Sequence, residues 1–99
     1  MTNINTNSIS IVLASCEDYS HWPDIDNGVT CGDCKALVLT KTYDGRCSNY
    51  CQSFGHVCAH AAEEKDDNCE YKKEYNCDDR ISGTSDMLCT CIKPTSKFG

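Results

Sequence analysis

The sequence predicts a small disulfide-rich α+β domain: one or two short helices packed on a small antiparallel sheet, closed by up to five disulfides. Three observations lead there. Ten of the 99 residues are cysteine, a density that marks a disulfide scaffold. The apolar fraction is 39% before the cysteines are set aside, and a chain this short buries only about 60–65% of its unfolded surface, too little for an unaided core. Finally, Cys47, Cys51 and Phe54 repeat with a helical spacing while Cys89-Thr90-Cys91 repeats with a strand spacing, so both kinds of element are expected.

Residues 1–15 precede the first cysteine, carry no charge and end in the apolar run Ile9–Ala14. They read as an N-terminal strand or arm. The spelling Leu13-Ala14-Ser15-Cys16 matches a lipoprotein cleavage box, but no Lys or Arg stands before it, so no lipidation is expected. Cys16 to Cys91 is the stapled body, and 92–99 reads as a tail or linker. Within the body, His21-Trp22-Pro23 through Thr30 contains Asn27 and Gly28 and is expected to be a loop. Residues 33–42 suit a short helix with Asp33 as its N-cap, although Val38, Thr40 and Thr42 leave a strand open. The better helix is 46–54, with Gly55 placed for a left-handed cap. A strand over Val57–Glu63, a turn at 65–68, a strand over Cys69–Asn76 and a last strand over Met87–Ile92 follow. Tyr71 and Tyr75 are expected on one face, covering the sheet.

Nine basic residues stand against fifteen acidic ones, a net charge of −6. Nucleic acid is therefore not an expected partner. No stretch approaches the roughly 20 apolar residues of a membrane span, so membrane insertion is not expected either. Cysteine this dense persists as disulfide only outside the reducing cytosol, which places the protein extracellularly or at the cell surface.

Cys31-x-x-Cys34 has the spacing of a redox dithiol or half a zinc site, with His56-x3-His60 as a superficial second half. An even cysteine count instead favours structural disulfides at Cys16, Cys31, Cys34, Cys47, Cys51, Cys58, Cys69, Cys77, Cys89 and Cys91. Cys89 and Cys91 should take separate partners, clamping the last strand to the helix side. No cofactor is expected beyond calcium at Asp24 and Asp26, whose spacing falls one residue short of an EF-hand loop. No nucleophile–base frame surrounds His21, His56 or His60, so the chain is not expected to be an enzyme. The candidate contacts are aromatic and apolar. Tyr19, His21 and Trp22 would form a rigid platform for a protein or a sugar ring, unless Trp22 plugs the core. Ile9, Ile11 and Leu13 alternate along Ser8–Ser15, which pairs within its own chain or is donated to a neighbour to build an assembly.

The residues CSNYCQSFGHVCAHAAEE and the closing SDMLCTC resemble the helix-then-strand core of PAN/apple and WSC-type extracellular modules. They are also similar to cysteine-rich modules of secreted proteins from marine protists and algae. A second resemblance, in size and composition, is to the ciliate pheromones. The first likeness implies a non-enzymatic module that binds an extracellular protein or glycan; the second implies a diffusible signal.

Overall fold

The computed structural model describes residues 15–94. Five strands and one helix follow a short 3-10 turn at Tyr19–His21: β1 (Ile25–Gly32), β2 (Lys35–Leu39), α1 (Cys47–Gln52), β3 (Val57–Glu64), β4 (Tyr71–Tyr75) and β5 (Asp86–Ile92). The sheet has the order β1-β2-β5-β3-β4, and every neighbouring pair is antiparallel. β5 arrives last in the chain yet lies in the middle. Ala36 pairs with Cys89 on one side of it and Ala61 with Cys89 on the other.

The chain is a disulfide-rich α+β fold, as its composition predicts. All ten cysteines pair, as Cys16–Cys34, Cys31–Cys69, Cys47–Cys89, Cys51–Cys91 and Cys58–Cys77. Cys47 and Cys51, one turn apart on α1, reach Cys89 and Cys91, two residues apart on β5. The strand period puts those two sulfurs on one face, so α1 is bolted to the centre of the sheet. Cys31 and Cys34 bond to different partners, which removes both the dithiol and the zinc reading of that pair.

α1 forms where the helical spacing predicts it, and it stops at Gln52. Gly55 takes φ +80°, letting the His56 N–H double back to the Cys51 carbonyl at 2.9 Å, a closing bond that suits a left-handed C-terminal turn. On the helix side of the sheet Ala36, Val38, Ala61, Met87 and Tyr50 form the main core. Leu37, Ala62 and Leu88 form a second cluster, with Val29 and Cys31 packed on it.

Three expectations are corrected. Residues 33–42 are not a helix: Asp33 and Cys34 both have positive φ, 53° and 64°, making the tight turn into β2, and only Lys41–Tyr43 is helical, as a 3-10 turn. Leu37 and Val38 belong to the two different clusters, so β2 is apolar on both sides and lacks the alternation that would have marked it as a strand. The expected loop through Thr30 is largely β1, in which Asn27 and Gly28 take φ 53° and 71° inside a stretch of shifted register; turn residues here make a bulge. Tyr71 and Tyr75 do not share a face. Tyr71 pairs with Glu64 and Tyr75 with Ala61, four residues against three, so the extra residue turns Tyr75 to the main core and leaves Tyr71 exposed.

Ile9, Ile11 and Leu13, and with them the strand expected over Ser8–Ser15, lie outside the described residues apart from Ser15 itself. The Ser15 carbonyl accepts the Lys93 N–H at 2.8 Å, so the two ends of the described chain leave side by side. No helix among the described residues is long and apolar enough to cross a membrane.

Candidate binding cleft

The aromatic segment near the N-terminus is part of the frame. Trp22 is only 6% exposed, and its ring packs against Tyr19, Tyr50 and Phe54 with centroids 5.1–6.2 Å apart. The indole Nε1–H donates to the Glu17 carbonyl at 2.9 Å. Tyr19 is half-buried, and its hydroxyl donates to the Lys35 carbonyl at 2.9 Å. Of the predicted platform only His21 is exposed; Trp22 takes the core role, because a chain with so little apolar mass draws its one indole inward.

His56 and His60 do not come together either. His56 is buried, donating from Nδ1 to the Phe54 carbonyl at 2.9 Å and accepting the Glu17 N–H at Nε2 at 3.0 Å. His60 lies on the sheet and meets Glu74 at 2.8 Å. That imidazole and the Tyr71 hydroxyl hold the Glu74 carboxyl below the usual glutamate range.

Asp24 and Asp26 also separate. The Tyr43 hydroxyl donates to Asp24 at 2.5 Å, and this contact raises the Tyr43 pKa. Asp26 instead joins Asp67, from the β3–β4 turn, and buried Asp86, with carboxylate oxygens within 4.8 Å of one another. These are the described residues arranged to meet a divalent cation; three carboxylates alone fall short of the six to eight oxygens calcium takes. Thr84 donates its hydroxyl to Asp86 at 3.1 Å. Sharing a hydrogen bond with Asp86 pushes the Asp26 carboxyl above the usual aspartate range, with burial adding to it.

A concavity lies elsewhere, at the end of the sheet where the β4–β5 connection folds onto the Asp44-Gly45 turn. It has a volume of about 410 Å3 and is lined by Lys41, Asp44, Gly45 and residues 80–85. Asp44 and Gly45 both take left-handed backbone, φ 60° and 67°, and the Gly45 carbonyl accepts the Ile81 N–H at 2.9 Å. The two connections are so close there that a Cβ on Gly45 would stand 2.6 Å from the Ile81 carbonyl oxygen. That contact is the floor of the cleft.

Charge is concentrated at its mouth. Both arginines of the chain, Arg46 and Arg80, bind Asp44. Arg80 does so through Nε at 2.9 Å, and together the two guanidiniums, Arg80 first, hold the Asp44 carboxyl below the usual range. Lys41 is exposed and makes no ion pair among the described residues. Lys41 and Arg80 are the two cations of the lining, and Asp44 is its one carboxylate. Beyond them, Ser82 and Gly83 are exposed and form no hydrogen bond with the described chain. Sequence reading missed this site. Its only signal was the Ser/Gly/Thr-rich run Arg80-Ile81-Ser82-Gly83-Thr84-Ser85, a loop composition of the kind that carries function on a rigid scaffold.

No family model matches the chain, and no curated protein and no solved structure matches it.

Proposed function

We propose that this chain is a non-enzymatic extracellular module that works by contact with a protein or glycan partner, seated in the cleft between Lys41 and the 80–85 loop. The observation that carries the reading is an open polar cleft of ligand size, fixed in shape by the Gly45–Ile81 contact. Its lining offers two cations, three hydroxyls, backbone amides and the Asp44 carboxylate. Five bridges in so short a chain suit the oxidising conditions outside the cytosol. The resemblance to PAN/apple and WSC-type modules accords with the same role.

The test is a panel of extracellular glycans and proteins passed over the immobilised, oxidised chain, alongside the double variant Lys41→Gln/Arg80→Gln. Binding to the parent that is lost in the variant supports the reading. Binding indifferent to both changes, or turnover of a panel member, overturns it.

A further inference from the structure

We infer that the cleft recognises an acidic saccharide, with the Arg80 fork and the Lys41 ammonium holding its carboxylate or sulfate group and the Ser82-Gly83 segment holding its hydroxyls. The inference rests on the proposed cleft and names the ligand class.

The orientation of Arg80 is the first argument. Its Nε is engaged by Asp44 at 2.9 Å, which fixes the guanidinium plane while the side chain stays 60% exposed. The two terminal nitrogens have no partner among the described residues. A guanidinium held in this way presents two parallel N–H groups, the geometry that takes a carboxylate or sulfate in bidentate fashion. Lys41, also in the lining and without an ion pair among the described residues, supplies a second, less directional charge.

The second argument is what the walls leave unused. Thr84 has its hydroxyl engaged by Asp86, and the Ser85 carbonyl accepts the Thr40 N–H. Ser82 and Gly83, one residue further along the rim, are bound to nothing in the described chain. They offer two amides and a hydroxyl side by side, a match for a ligand rich in hydroxyls. A peptide would want something different. Protein interfaces are anchored by buried aromatic and aliphatic side chains, and the cleft lining contains no aromatic residue, with Ile81 its only large apolar one.

The overall charge of −6 opposes an anion at long range. Screening limits that opposition, since exposed charges beyond about 8 Å are largely silenced at physiological salt. Within that range the binding rests on the direct contacts that Arg80 and Lys41 make from the lining.

The experiment is an amide chemical-shift titration of the full oxidised chain with four probes: a uronic-acid disaccharide, a sulfated disaccharide, a neutral disaccharide and an Asp/Glu tetrapeptide. The expected result is a shift of the 82–85 amides with one or both acidic disaccharides and not with the neutral one, the affinity falling as salt rises. The stronger of the two identifies the anionic group. Arg80→Gln should weaken it by about tenfold or more, and Arg80→Lys, which keeps the charge and loses the fork, should recover only part of this. Equal binding of the neutral disaccharide, or a tetrapeptide that binds as tightly as the saccharides, overturns the inference. So does an acidic disaccharide whose binding ignores both Arg80 variants. If all four probes fail while a protein partner shifts these same amides, the saccharide is wrong and the cleft stands; if a partner binds without shifting them, both are wrong.

Discussion

Replacing Gly45 with Ala tests whether the floor of the cleft is the contact described. Gly45 has φ +67°, and its absent Cβ would meet the Ile81 oxygen, nitrogen and carbonyl carbon at 2.6, 3.2 and 3.3 Å. Gly28 is the control, with φ +71° and nothing within 4 Å of its Cβ position. Left-handed backbone costs alanine about 1–2 kcal/mol, of which about 0.4–1 kcal/mol is offset because alanine restricts the unfolded chain. Gly28→Ala should thus destabilise by about 1 kcal/mol or less. At Gly45 the same backbone cost is joined by forced displacement of the Ile81 backbone, about 1–3 kcal/mol on the scale of overpacking. The Gly45–Ile81 hydrogen bond, worth about 0.5–1.5 kcal/mol, is lost as well. Gly45→Ala should then exceed its control by about 2 kcal/mol or more. Guanidinium unfolding of both oxidised variants measures this, provided the slope against denaturant is unchanged. A Gly45→Ala midpoint that matches the Gly28→Ala midpoint would refute the close approach and with it the geometry of the cleft.

The Cys47→Ala/Cys89→Ala double variant removes a bridge with a sequence span of 42, but Cys51–Cys91 still ties the same two segments, so the ring opened is about eight residues and the cost should be about 2–2.5 kcal/mol by chain entropy; a peptide map of the parent that links Cys47 to any residue but Cys89 would contradict the clamp. Asp26→Asn removes a carboxyl whose pKa is raised in the folded state by Asp86. The folded chain holds that proton longer than the unfolded one, so this group's contribution to stability falls as pH rises from the ordinary aspartate range through the raised value. In chelator-treated protein the variant should therefore be more stable than the parent at neutral pH, and that advantage should disappear below the ordinary aspartate range; a variant less stable at neutral pH would show that Asp26 makes a contact worth more than the repulsion. His56→Phe leaves the Glu17 N–H and the Phe54 carbonyl without their partner, about 1–3 kcal/mol for each group that stays buried, and should alter Trp22 fluorescence because the indole is held by the Glu17 carbonyl. An unchanged midpoint and spectrum would show that water replaces the imidazole.

The legible part of the fold is the part whose spacing is local. Cys47, Cys51 and Phe54 mark α1 within eight residues, and Cys89 and Cys91 announce their common face through the strand period alone. The same reasoning yields the separate partners for those four cysteines, seen as Cys47–Cys89 and Cys51–Cys91. It fails at β2 because Leu37 and Val38 are both buried, on opposite sides of the sheet, and a strand covered on both sides has the same local pattern as a buried helix. It fails at β1 for the converse reason: Asn27-Gly28 is a turn signal in isolation, but pairing with β2 on either side absorbs it as an irregularity of the strand.

The cleft was not legible because nothing local specifies it. Lys41, Asp44 and Gly45 belong to one connection and Arg80 to Ser85 to another, and Arg80 reaches Asp44 across 36 residues. Taken singly, Arg80 is one of the scattered basic residues of an acidic chain, and Asp44-Gly45 is an ordinary turn. They become a site only after β5 has inserted between β2 and β3, which brings the segment before β5 alongside the segment after β2: Leu39 pairs with Asp86, and the Thr40 N–H bonds the Ser85 carbonyl at 3.1 Å. Trp22 was legible in both directions, and the structure takes the core reading. An indole in a proline-containing loop looks available for contact until the scarcity of other large apolar side chains is set against it. In so small a core, aromatic mass is drawn inward and the loops are left polar. Moving Arg80 alone, while leaving Trp22 untouched, should therefore change what this protein binds without changing whether it folds.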